Sequence, residues 1–353
     1  MGLPALGAIS ATCRESAGFV YSSVGQLFPM FKRVLVPMNG SESTERILPH
    51  LVQLTNWCDS ELTLLHVLRP TRSRSTGHLQ IEYPNMLTDR AQGLARAYFA
   101  ELVEQFDNIG VMAHSTTAAG ELVDTVVSRA SAGRFDLMAL AAGERHPALR
   151  HVTESASEKI RVRAPIPMLI LNGHRARKIK DGDVPLTRLL VALNGTRVSE
   201  FALPYVRRIA RLGNLPITLI RVVPEIAGFN LAAELSSVAP RFVRGAVELA
   251  EEYLEDHAAL LAEEGFDVST RVEVGTAAQT LTAVQESAPE HLLVMASVVR
   301  RGWLRAMLGC TADEVIRMSG RPLLLIPAGR RPGPSDSGSY DGPYGGSNGP
   351  TNS

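Results

Sequence analysis

Leu35-Val36-Pro37-Met38-Asn39-Gly40, residues 35–40, returns as Leu190-Val191-Ala192-Leu193-Asn194-Gly195, residues 190–195. Each is a short apolar run that stops at Asn-Gly, and Val36 falls on Val191 at an offset of 155 residues. The same offset places Leu48-Pro49 on Leu203-Pro204, Thr63-Leu64 on Thr218-Leu219, Gly110 on Gly265, Gly120 on Gly275 and Pro167 on Pro322. Chance similarity does not hold register without a gap over such a distance, so the chain is read as an internal duplication. Its 353 residues also exceed one typical domain of about 100 to 200 residues.

Within each copy, short β-rich runs alternate with stretches of helical period, the pattern of successive βαβ units on a parallel sheet. Strands are expected near 33–38, 61–68, 111–117, 135–141 and 166–171, and again near 188–193, 216–223, 266–274, 291–296 and 322–327. Leu137-Met138-Ala139-Leu140 and Leu292-Leu293-Val294-Met295 are apolar without alternation, as central strands covered on both faces should be. Leu48, Leu51 and Leu54, like Leu203, Val206 and Ile209, mark one buried helical stripe in each copy. The expected fold is therefore α/β: two tandem doubly wound parallel-sheet domains.

Domain 1 is assigned to 30–172 and domain 2 to 188–327. Residues 173–187, with Arg175, Arg177, Lys178 and Lys180 around Gly182 and Pro185, read as a linker whose charges are solvated. Residues 1–29 read as a loose arm or a mis-assigned start, since Met30 opens its own strand-like run. The Gly, Pro, Ser and Asn of 328–353 cannot bury enough apolar surface to order themselves, so a disordered tail is expected there.

Hydrophobic residues make up 45% of the chain and the formal net charge is zero, which argues against strong electrostatic binding of nucleic acid. Cys13, Cys58 and Cys310 form no C-x-x-C pair, so neither a disulfide framework nor a metal site is expected, and a reducing, cytoplasmic setting fits. No apolar stretch approaches the roughly 18 residues of a membrane span, and residues 1–29 make a poor secretory signal.

The loops after strands one and four should carry any ligand, because an open parallel sheet binds outside the carboxyl ends of its strands where the order reverses. Here a family resemblance enters. The strand ending in Asn39-Gly40-Ser41, the Leu65-His66-Val67 that closes strand two, and Ser155-Ala156-Ser157-Glu158-Lys159-Ile160 followed by Ala164-Pro165-Ile166-Pro167 resemble the universal stress proteins. Copy two resembles them through Gly302, Arg305, Gly309 and Pro322, so the likeness covers about residues 30–327.

ATP-binding members of that family carry G-x2-G-x9-G and then Ser or Thr after strand four. Their glycines admit the phosphates to the backbone, and the next helix N-terminus faces the anion. The pattern falls on Ala141, Glu144, Glu154 and Ser155 in copy one, and on Ala296, Val299, Gly309 and Cys310 in copy two. Two carboxylates thus stand in copy one where phosphate should be met, and both charge and bulk oppose binding. Copy two keeps Gly309, with Arg300, Arg301 and Arg305 nearby, which leaves ATP as its candidate cofactor. The family's nucleotide-contacting Asp corresponds to Asn39 and Asn194, and Val67 and Val222 end the second strands.

Bland readings stand beside these. Asn-Gly is a favoured turn, and Ser41 or Thr196 can cap a helix with no ligand. Ser155 with Glu158, and Thr311 with Glu314, have capping-box spacing. His66 lacks a partner at ligand spacing and reads as structural. No phosphate loop, dinucleotide fingerprint, nucleophile elbow or zinc-protease motif occurs, and nothing nominates a nucleophile and its base.

The resemblance implies a stress-response or signalling protein that works by binding rather than catalysis, with an adenine-nucleotide sensor acting through domain 2 as the alternative. It further implies an internal pseudo-dimer joined through the strands near 166–171 and 322–327, with a further homodimer optional. The partner would be a protein of unknown identity, with neither nucleic acid nor membrane involved.

Overall fold

The computed structural model describes residues 31–68, 85–132, 134–142, 156–176, 186–225, 239–298 and 311–328. The first half runs β1 (Arg33–Met38), α1 (Glu42–Glu45), α2 (Leu48–Cys58), β2 (Glu61–Leu68), α3 (Asn85–Asn108), β3 (Ala113–Ala119), α4 (Leu122–Ser131), β4 (Leu137–Ala142), α5 (Ala156–Arg163) and β5 (Met168–Asn172). The second repeats the sequence of elements: β6 (Arg188–Ala192), α6 (Arg197–Glu200), α7 (Leu203–Gly213), β7 (Ile217–Val223), α8 (Ala239–Glu263), β8 (Val268–Val274), α9 (Ala277–Ser287), β9 (His291–Val298), α10 (Thr311–Met318) and β10 (Leu323–Ala328).

All ten strands join one sheet in the order β3-β2-β1-β4-β5-β10-β9-β6-β7-β8. Pairing is parallel inside each half, and the order reverses between β1 and β4 and between β6 and β9. Alternation along the strands divides the core. Val34 and Val36 face α2, α3, α7 and α8 through a layer that includes Leu51, Phe106, Val206 and Leu254. Leu35 faces the other way, toward α4, α5, α9 and α10, with Val126, Ile160, Leu281 and Val315. The expected helical stripes of Leu48, Leu51 and Leu54 and of Leu203, Val206 and Ile209 are buried in the first layer.

Four expected strands, β3, β4, β5 and β8, begin two residues late. β3 starts at Ala113 and β8 at Val268 because the preceding helices end in left-handed glycine caps. The Val111 amide donates to the Phe106 carbonyl and the Gly110 amide to Asp107, and Phe266 to Leu261 and Gly265 to Ala262 repeat the arrangement. This is a Schellman closure, which holds residues 111 and 266 in the turn. At the other end, Ala328 closes β10 opposite Val298 rather than opening the tail, because the ladder extends that far. The arm expected over 1–29, the linker charges Arg177, Lys178 and Lys180, and the tail after Ala328 lie outside the described residues.

The halves meet where β5 and β10 pair antiparallel, Leu169 opposite Leu324. Around that ladder α2 packs on α7. The Phe31 ring stacks on Tyr205 at 5.9 Å, and the Leu186 amide donates to Gln53 Oε1 at 3.2 Å. On the opposite face Asn172 Nδ2 donates to the Ile316 carbonyl at 3.0 Å, and Arg161 pairs with Asp313.

Candidate functional site

The two order reversals place the β1–α1 and β6–α6 loops at the carboxyl ends of the central strands. In the first, Asn39 Oδ1 accepts from the Ser41 amide at 3.0 Å and from Thr44 Oγ1 at 3.1 Å. The side chain therefore closes an Asx-type turn that leads into α1. Gly40 (φ +75°) is roofed by the Tyr98 ring, whose Cε1 would lie 3.6 Å from a Cβ at that position. Tyr98 itself donates to Glu45 Oε1 at 2.7 Å. Burial, and then the Glu45 hydrogen bond, push its phenol well above the usual tyrosine range.

The second loop is built alike but capped more completely. Asn194 Oδ1 accepts from the Thr196 amide at 3.1 Å and from Thr196 Oγ1 at 2.6 Å, while Ser199 Oγ donates to the Thr196 carbonyl at 2.7 Å. Thr196 is the N-cap of α6, and its side chain accepts from the Ser199 amide. Over Gly195 lies a guanidinium in place of a ring: a Cβ there would meet Arg221 Nη2 at 2.9 Å. Arg221 stacks on Tyr253 at 5.1 Å. Tyr253 donates to Glu200 Oε1 at 3.0 Å, and His257 Nε2 lies 3.6 Å from the same oxygen. Burial, then the Glu200 charge, push the Tyr253 phenol up to about 12.

Of the residues nominated from sequence, Asn39 and Asn194 occupy these loops. Ala141 lies on β4 opposite Leu171 of β5. Val67 and Val222 lie on β2 and β7, opposite Ala118 and Glu273, and each packs its side chain on the α4/α9 side of the sheet. Ala296 lies on β9. Glu144, Glu154, Ser155, Val299, Gly309 and Cys310, with Arg300, Arg301 and Arg305, lie outside the described residues. His66 Nδ1 is 3.4 Å from the Met38 carbonyl and its ring packs on Phe99 at 5.3 Å, which gives it a structural place.

Sequence reasoning passed over Tyr98, Glu45, Tyr253, Glu200 and Arg221. The signal was present in the repeat: the 155-residue offset carries Glu45 onto Glu200 and Tyr98 onto Tyr253, and it replaces His66 by Arg221. Among the described residues no group of three or more His, Cys, Asp or Glu side chains comes together to hold a metal ion. Nor is any helix among them long and apolar enough to cross a membrane.

A family model described as the Universal stress protein family matches residues 30–172 and again residues 185–327. The chain belongs to the universal stress protein family. Among solved structures, it is similar to a universal stress protein from Archaeoglobus fulgidus DSM 4304, with TM-score 0.60 and 18% identity, covering 85% of this chain and 99% of that one. A putative universal stress protein from Pseudomonas aeruginosa UCBPP-PA14 is similar with TM-score 0.52 and 17% identity over 85% of this chain and 94% of that one. At such identities these likenesses carry the fold alone. A comparison with curated proteins finds no match.

Proposed function

We propose that this universal stress protein acts in stress response or signalling by binding a protein partner, without turnover and with its nucleotide signature degenerate in both copies. The observation that carries this reading is that each first loop is satisfied and roofed from within. Asn39 and Asn194 spend their carboxamide oxygens on their own loops, and Tyr98 and Arg221 cover the glycines that follow. An adenine nucleotide would have to displace those side chains. Glu144 and Glu154 in copy one add charge repulsion at the motif positions. A cytoplasmic setting is supported by the three scattered cysteines of the sequence, which form no C-x-x-C pair.

Arg221 favours a second reading, adenine-nucleotide binding through domain 2. It brings a cation to the Gly195 backbone, and the sequence keeps Gly309 in that copy. Calorimetric titration of the full chain with magnesium and ATP separates the two. The first reading expects no saturable heat at about 1 mM ATP, a concentration that detects binding down to about 4 kcal/mol. Saturable binding that disappears in Gly309→Glu would overturn it in favour of the second, and phosphate release above a buffer control would overturn the absence of turnover.

A further inference from the structure

A cavity of about 280 Å³ lies between the halves at the carboxyl ends of β4 and β5. It opens on the sheet face opposite Tyr98, because its floor of Leu140, Ile170 and Ile316 belongs to the other core layer. Both halves build it: α5 and the turn after β5 supply Arg161 and Arg175, and α10 supplies Arg317 and Asp313.

The charges are unbalanced. Arg161 and Asp313 neutralise each other in an ion pair whose side chains are only 12% and 16% exposed. Glu158 also lines the wall. Arg175 and Arg317 are exposed at the rim and, among the described residues, neither guanidinium meets an acid. Three arginines against two carboxylates leave one net positive charge before His174 is counted. Guanidinium groups present a planar fork that matches a carboxylate or phosphate head. The volume lies just below the roughly 300–1,000 Å³ usual for ligand pockets, so the body of the ligand must be compact.

We infer that this inter-half cavity binds a small organic anion, a phosphate or carboxylate head on a compact apolar body, with the head between Arg175 of the first half and Arg317 of the second. The apolar part rests on Leu140, Ile170 and Ile316. Because the walls come from both halves, occupancy ties them together and stabilises the chain by mass action. The inference does not rest on the nucleotide reading, since none of its lining residues is one of the nominated nucleotide positions.

The full chain is titrated calorimetrically with phenyl phosphate, benzoate and inorganic phosphate, and thermal unfolding is followed with each. Saturable binding of phenyl phosphate or benzoate with a rise in Tm is expected, and the stronger of the two identifies the preferred head. Inorganic phosphate, lacking the apolar body, should bind at least about tenfold more weakly. Arg175→Gln and Arg317→Gln should each weaken binding about tenfold while leaving the unliganded Tm and circular dichroism unchanged. No saturable binding of either organic anion at about 10 mM, or equal affinity in the double variant, would overturn the inference.

Discussion

The Tyr98 hydroxyl donates to Glu45 Oε1 at 2.7 Å and so ties the long helix α3 to the short helix α1 that follows the first strand. The duplicate of this bond, Tyr253 to Glu200 at 3.0 Å, ties α8 to α6. In the second half the carboxylate also has His257 at 3.6 Å, and Arg221 lies over the Tyr253 ring. The two loops therefore share a tether and differ in what surrounds it.

Tyr98→Phe removes a hydrogen bond to a carboxylate in a half-buried setting and should cost about 1–2 kcal/mol. Tyr253→Phe should cost less, about 1 kcal/mol, because His257 still faces Glu200. Urea denaturation reads both as a lower midpoint at unchanged slope. Equal midpoints for Tyr98→Phe and the parent would show that the tether contributes nothing.

His50 on α2 is 9% exposed, and its Nδ1 has no hydrogen-bond partner among the described residues. Burial, helped by the Arg321 charge, lowers its pKa to about 4 from 6.5. The unfolded chain then binds a proton below about pH 6.5 that the folded chain refuses until about pH 4. Stability from this group is full above pH 6.5 and falls as the pH drops through that window, by up to about 3 kcal/mol. His50→Leu should flatten the acid limb of a stability profile between pH 6.5 and 4. An unchanged slope would mean that His50 does not titrate on unfolding.

The architecture was legible because strand identity depends on local apolar runs and the repeat supplied each run twice. The joint through β5 and β10 was legible only through the family resemblance, and the antiparallel ladder forms between those two strands. Boundaries failed where a cap extends the helix: Val111 and Phe266 are apolar and strand-like, yet their amides are held by Phe106 and Leu261. The cavity was illegible for a different reason. Arg161, Arg175 and Arg317 come from three separate segments, and the antiparallel seam brings Arg317 of the second half to the other two. Arg175, expected to be solvated, is exposed and also lines that space. Tyr98 was passed over because a tyrosine at helical spacing reads as core, and its ring does pack on the core while its hydroxyl reaches Glu45.

Cys58 ends α2 with 2% of its surface exposed, and burial pushes its thiol up to about 12. The thiolate is the reactive form, so at neutral pH the native side chain should be inert. Iodoacetamide followed by peptide mass spectrometry should leave the Cys58 peptide unmodified in the folded chain and label it fully in denaturant. Labelling of the folded chain at a rate near that in denaturant would contradict this burial.

Two glycine substitutions should move stability in opposite directions. Gly245 sits within α8 and a Cβ there meets nothing within 4 Å, so Gly245→Ala removes only the entropic cost of glycine in a helix. It should stabilise by about 0.5–1 kcal/mol. Gly173 follows β5, where its amide donates to the Ala142 carbonyl at 3.0 Å and its carbonyl accepts from Arg46 Nη1 at 2.8 Å. A Cβ at Gly173 would run into the Ser43 carbonyl oxygen and come within 2.8 Å of Ser43 Cβ. Backbone cannot yield there as a side-chain tip can, because Arg46 also holds the Ala176 carbonyl at 2.6 Å and pins the chain as it leaves the first half. Gly173→Ala should therefore cost about 1–3 kcal/mol, the range for forcing a methyl group into packed structure. Thermal unfolding of the two single variants checks both signs. If Gly173→Ala unfolds at the parent's temperature, the turn after β5 does not press on α1, and the Arg46 anchor would not fix the position of Arg175 at the cavity rim.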